Sequence, residues 1–454
     1  MIDVKEPTTN RTRIDTNRER ESFGFRWTVM IVFVLIIAIR FHFFYLFKYP
    51  GFFYIFEGFY GWIIIFLLSL FLYFVALFSA RSRKDKVFVL LEVFPWVVFA
   101  AYFFVAACSI LKYRDQPIYQ SIGKEFNILN VFLALPLYKL TKDSKNKFIV
   151  LDICNVCMVF YCSLLLFQSV VFNASSKLIL GFSDFFTTEY IFTRSFGIRI
   201  HANNLIPFTV LYSFWRLTKK EVHSRQALLF LIPFLIQFVA LVGVVQTRII
   251  TIGVLAGLII VLLFGPITKG KVVTCLIAVP IILFVIFSTN YVSVLLDSIF
   301  DKNNSESYSY YVRLDSITYY LECFSRNIFF GNGFATEKYY YSIEHGPNGT
   351  AYYSDVGFVG LMGETGIQSV AIFLVPFLYV LYAAWRSLSM RRSGYNFILA
   401  LFATLLILST CLPMYNHLEW PVLLALFAYE YSEIKVREIS RYKDATALRA
   451  LTAY

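Results

Sequence analysis

Charge is what this chain has little of. Asp, Glu, Lys and Arg make up 15% of its 454 residues, against about a quarter in an ordinary soluble domain. Long polar intervals are scarcer still, and only the one near 291–355 interrupts the apolar runs for long. Together with a mean hydropathy of +0.65, these shortages exclude a water-soluble globular domain. There is also no Walker-type glycine loop, no HExxH, no dinucleotide fingerprint and no internal repeat. The cysteines (108, 154, 157, 162, 275, 323 and 411) fall mostly inside apolar runs, which argues against a disulfide framework. Cys154 and Cys157 form a CxxC without partner ligands and read as buried thiols, so no metal site is expected.

What is present is apolar: 58% hydrophobic and 19% aromatic residues. Each crossing of a hydrocarbon core of about 30 Å needs roughly 20 such residues. Apolar runs fall near 27–47, 59–79, 87–111, 118–138, 148–172, 201–215, 226–246, 249–267, 272–290, 356–384, 395–412 and 418–432. Two are weak, because 118–138 contains Lys124 and Glu125 and 201–215 is short. The expected fold is all-α, a polytopic membrane protein of about twelve transmembrane helices with one large outward loop containing an amphipathic helix. Its parts are a basic tail (1–26), helices 1–9 (27–290) with a lesser outward loop near 173–200, the large loop (291–355), helices 10–12 (356–432) and a second tail (433–454). Basic clusters at 81–86, 139–147, 216–225, 269–271, 386–392 and 435–449 share one side with the N-terminal tail, as the positive-inside rule requires with both termini in the cytoplasm. Topology thus accounts for the net charge of +12, and nucleic acid is dropped as a partner.

The outward face carries the residues suited to chemistry. Leu314, Ile317, Leu321, Phe324 and Ile328 recur at helical spacing before the Gly331-Asn332-Gly333 stop, which predicts a helix lying along the membrane with Arg313 and Glu322 on its polar face. The plain alternative is an amphipathic helix whose arginines contact only lipid headgroups. Arg248 sits in a tight turn between two apolar runs, where a charge is costly unless paired or used. Arg194 and Arg199 precede His201, Asn203 and Asn204 at the start of the sixth run. Arginines converging on one membrane face suit a phosphate or diphosphate, because the guanidinium is always charged and binds such oxygens bidentately.

These motifs resemble the O-antigen polymerase and O-antigen ligase superfamily of bacterial surface-polysaccharide assembly. Gln246-Thr247-Arg248 opening a span is similar to the family's Ser/Thr-Arg, and Arg194…Gly197…Asn203 to its Arg-x-x-Gly…Asn. Arg313 ahead of Asn327…Gly331-Asn332-Gly333 is similar to its loop helix, and 353–367 to its return into the membrane through Glu-x-Gly-Ile. Where ligases show His-Asn before the returning span, this chain has Ser354-Asp355, which favours a polymerase.

The resemblance implies an inner-membrane protein with its loop in the periplasm. The implied activity is inverting glycosyl transfer, joining undecaprenyl-diphosphate-linked oligosaccharide repeats without a cofactor. Arg248 and Arg313 would hold the diphosphate, with Arg194 and Arg199 assisting; arginines can supply that charge without a metal. Asp355, His345 and Glu364 are the candidate bases, set against plainer roles as helix cap, loop hydrogen-bonder and paired acid. His417 and Glu419 stand in reserve. Tyr319, Tyr340 and Tyr353 stand for the loop's tyrosines, suited to a pyranose face or to an interfacial aromatic belt. Membrane lipid is a further partner, and a chain-length regulator is left open. The competing readings are a ligase acting on lipid A-core and a lipid-linked oligosaccharide flippase.

Overall fold

A computed structural model of the chain describes residues 8–79, 86–144, 146–185, 192–194, 197–200, 205–219, 224–265, 267–269, 271–272, 275–276, 280, 305–391 and 394–452, with side chains described over a somewhat smaller set. Positions 201–204 and 281–304 lie outside the described residues. In order the helices are α1 (Thr8–Arg40), α2 (Gly58–Phe78), α3 (Lys86–Lys112), α4 (Ile118–Gly123), α5 (Ala134–Asp143), α6 (Ile149–Ser175), α7 (Leu205–Leu217), α8 (Ser224–Ala240) and α9 (Arg248–Leu263). They continue as α10 (Ser305–Arg326), α11 (Glu337–Glu344), α12 (Gly357–Thr365), α13 (Val375–Ser389), α14 (Tyr395–Ser409) and α15 (Glu419–Thr452). Among the described residues the one sheet is an antiparallel hairpin of β1 (Phe192–Arg194) and β2 (Gly197–Arg199), with Arg194 opposite Gly197.

Among the described residues, five helical stretches are long and apolar enough to cross a membrane: Phe23–Arg40, Gly58–Phe78, Lys86–Lys112, Ile149–Ser175 and Val370–Ser389. Shorter apolar helices lie at Leu205–Leu217, Leu229–Val245, Arg248–Leu263 and Tyr395–Ser409. Length and burial are opposed here. The long helices bury only part of their surface, whereas every residue from 125 to 141, a 3-10 turn (Phe126–Leu133) running into α5, is enclosed by protein. α7 is enclosed almost as completely. Around these central pieces α15 packs on α5, α7 and α6 pack on α8, and α9 lies along α14. A helix that contacts only other helices needs neither full membrane length nor unbroken apolarity.

The expected loop helix is present as α10, beginning earlier than its apolar periodicity. Its stripe of Leu314, Leu321 and Ile328 is exposed, while Ser316, Tyr320 and Cys323 on another face are buried against the protein. α10 packs on α12, where the chain turns back after the loop. The apolar run 356–384 is divided: α12 stops at Gly366 (φ +59°), and a π-helical turn (Val370–Leu374) leads into α13. Glu364 therefore precedes the span rather than lying within it.

Two glycine motifs lock this return in place. The Asn332 and Gly333 N–H groups donate to the carbonyls of Gly363 (2.7 Å) and Glu364 (2.8 Å), and Ile367 N–H donates to Ile328 O at 2.6 Å. Gly331 has φ +59°, and a Cβ there would stand 2.2 Å from the Gly363 carbonyl oxygen. Gly331→Ala is expected to destabilise the protein by about 3 kcal/mol or more through strain and overpacking. Gly243→Ala, where a Cβ meets nothing within 4 Å, should be neutral or stabilising by up to about 1 kcal/mol. Thermal unfolding of both variants in detergent checks the contrast in sign.

Candidate functional site

The loop after α10 is seated on the C-terminal end of α3 by polar contacts. Ser109 Oγ accepts from Phe334 N–H (2.7 Å), and Lys112 Nζ and the Tyr113 hydroxyl both donate to Asn332 O. Gln116, buried just beyond, donates through Nε2 to Ser121 Oγ and Phe334 O, while its Oε1 accepts from Thr336 N–H and Oγ1–H. One amide thus satisfies a loop carbonyl and a loop N–H. Asn332 Nδ2 in turn reaches Tyr319 Oη (3.2 Å), Cys323 Sγ (2.9 Å) and Ile343 O (3.3 Å), tying the glycine motif to α10.

Beneath this seat lies a buried charge cluster. Lys124, between α4 and the central segment, pairs with Glu364 (2.7 Å) and Glu344 (3.2 Å), donates to Ala335 O and sits 5.0 Å above the Tyr353 ring. Glu125 beside it is buried and bonded to Tyr353 and Asn416. Burial pulls the Lys124 ammonium down, but Glu364 and Glu344 outweigh it and leave the group raised. Burial pushes the Glu364 carboxyl up; Lys124 opposes this and Glu125 adds to it. Three carboxylates thus compete for one buried cation.

The residues singled out from the sequence divide into two groups. Arg199 lies in β2, and the next residue's N–H donates to Val244 O (3.1 Å), so the hairpin meets the end of the turn that leads to Arg248. Arg248, half-buried, opens α9 with Thr247 as its cap residue. Arg194 belongs to the same hairpin, though its side chain lies outside the described residues, as do His201, Asn203 and Asn204 altogether. Arg313 belongs to the second group, on α10, where its Nε is buried without a hydrogen-bond partner. Glu322 spends its charge on exposed Arg326 (2.8 Å).

Around the cluster sit the candidate bases. His345 is buried between the Tyr341 and Tyr352 rings, and its Nδ1 lies 2.9 Å from Ala351 O. A carbonyl can only accept, so Nδ1 carries the proton and Nε2 is the acceptor in the neutral ring, 3.8 Å from Glu337. Asp355 is half-buried in a 3-10 turn (Tyr353–Asp355), and the cap position of α12 falls to Val356 rather than to it. The tyrosine hydroxyls are engaged internally: Tyr319 donates to Ile343 O (2.6 Å), Tyr340 reaches Asp115 (3.4 Å) and Tyr353 bonds Glu125. Of the reserve residues, Glu419 is wholly buried at the start of α15.

Lys124, Glu125, Glu344 and Gln116 had no place among the sequence candidates. Lys124 and Glu125 gave one signal, the pair of charges that weakened the run 118–138, and Glu344 and Gln116 gave none. Residues 229–374 match a family model described as O-antigen ligase. No curated protein matches the chain. The matched stretch takes in Arg248, α10 and the whole return through α12.

Gln116→Ala would leave the Phe334 carbonyl and the Thr336 N–H buried and unpaired, at about 1–3 kcal/mol each. The expected result is a lower melting temperature with earlier proteolytic cleavage within 327–356, while Gln116→Glu, which keeps the acceptor alone, falls between. Limited proteolysis with mass mapping reads the order.

Proposed function

We propose, from the match of residues 229–374 to a family model described as O-antigen ligase, that this protein is a surface-polysaccharide polymerase of the bacterial inner membrane. It transfers a growing polyprenyl-diphosphate-linked glycan onto a new lipid-linked repeat at the periplasmic face, inverting the anomeric centre. The topology proposed with it has about twelve crossings and both termini in the cytoplasm, and the outer ends of α3, α9 and α12 face the periplasm.

The observation that carries the reading is the hydrogen bond from Ile200 N–H to Val244 O, which brings the arginine-bearing hairpin to the turn before Arg248. In the proposed reaction Arg248 and Arg199, with Arg194, take up charge developing on the leaving diphosphate, and Arg313 on α10 closes on it from the loop. Preorganised cations suffice for such a leaving group. The acceptor hydroxyl loses its proton to a carboxylate or imidazole of the loop, drawn from Glu364, Asp355 and His345. Ser354-Asp355 in place of His-Asn supports polymerase over ligase.

The test is a strain lacking the protein, complemented at matched expression with wild type and with Arg248→Ala, Arg313→Ala, His345→Ala and Asp355→Ala. Surface lipid should carry a ladder with wild type and a single repeat without it. Each arginine substitution should reduce ladder synthesis by about 10²–10³-fold, the scale of losing one charge-stabilising donor. Unmodified core with long glycan retained on the carrier means a ligase instead. Loss of all outward-facing lipid-linked repeat means a flippase.

A further inference from the structure

The Lys124 cluster has carboxylate oxygens to spare. One oxygen of Glu364 and one of Glu344 bind the ammonium, while Glu364 Oε2, Glu344 Oε2 and Glu125 Oε2 are all buried without a hydrogen-bond partner. Buried polar atoms are nearly always partnered, so three such oxygens around one cation mark a place built for more than holding the loop down. Glu125 also has φ +58°, a left-handed backbone that a non-glycine residue keeps only where its surroundings over-determine it. The contributing segments are far apart in sequence: the outer end of the central segment, α11 and α12.

Resting on the polymerase reading, we infer that Lys124 is a positioning residue for glycosyl transfer, holding Glu364 with its second oxygen, buried and without a protein partner, as the proton acceptor, while Glu125 and Glu344 supply the surplus negative charge that favours proton uptake. In this step the acceptor O–H gives its proton to Glu364. The acceptor oxygen forms a bond to the anomeric carbon as the bond from that carbon to the diphosphate oxygen breaks. The electron pair leaves with the polyprenyl diphosphate, and the proton on Glu364 passes to solvent before the next turn.

The titratable groups facing Glu364 come from every neighbouring element. They are Lys124 and Glu125 from the central segment, Glu344 from α11, Tyr320 from α10, Tyr353 from the turn before α12, Tyr415 from the turn before α15 and Tyr113 from beyond α3. Lys124 is the one cation in this set. Taking it away leaves a buried carboxylate with only acids and phenols around it, so Glu364 holds its proton to higher pH and is ionised only there. Taking away Glu125's charge does the opposite.

The experiment uses the full-length protein in proteoliposomes, a synthetic polyprenyl-diphosphate oligosaccharide repeat as probe, and turnover across about pH 5 to 9. Lys124→Met should lower kcat by about 10²–10⁴-fold with little change in KM, and move the acid limb of the profile to higher pH. Lys124→Arg should return the acid limb to its wild-type position, and Glu125→Gln should move it to lower pH. A Lys124→Met protein that folds and keeps the wild-type profile overturns the inference. Should that variant not fold, an unmoved acid limb in Glu125→Gln overturns it equally. A wild-type protein that extends no repeat refutes the polymerase reading and the inference with it, a result distinct from active enzyme with unmoved profiles.

Discussion

An ammonium group enclosed by protein must find its counter-charges at close range, because removing an ion from water costs several kcal/mol even after relaxation. Lys124 meets that demand with Glu364 at 2.7 Å and Glu344 at 3.2 Å, and much of the packing around it follows. The two acids lie on separate short helices, so α11 and α12 must both stand over the end of the central segment. That in turn holds the loop down on the bundle as a folded cap. Gln116, Ser109 and the paired glycine motifs then refine a position the charges have already chosen.

Two foci result at that end of the helices. One is the arginine-bearing hairpin against the turn before Arg248, and the other is the acid-rich cluster with its single lysine. Under the proposed activity the two have different tasks, since the leaving group gains negative charge while the acceptor gives up a proton.

Much of this was legible from the residues alone. The apolar runs, the periodicity of α10 and the position of Arg248 follow from patterns that depend on neighbours in sequence, while the return through Glu364 comes from the family resemblance, with Glu364 set too deep in the following span. The weak runs were the informative ones. The segment beginning at 118 tolerates Lys124 and Glu125, and 201–215 is short, because both lead into central pieces enclosed by other helices. Hydropathy is a measure of contact with lipid and loses force where a helix touches none. The ion pairs of Lys124 were hidden because their partners lie more than two hundred residues away. Likewise the periodicity of α10 marked the stripe left exposed, while its contact with α12 is made by Ser316, Tyr320 and Cys323, residues with no apolar pattern to announce them.

The π-helical turn at Val370–Leu374 holds one residue more than an α-helical turn would, its closing bond running from Val375 N–H to Val370 O. A surplus residue in a helix acts as a phase shift, since each residue advances the chain by about 100° around the axis. The span after the turn faces its neighbours on α14 and α15 in one phase, and the segment before it meets α10 and Lys124 in another. The wide turn is a gear coupling between two packing problems. It lets the loop cap and the helical bundle each settle their own azimuth without either dictating the other.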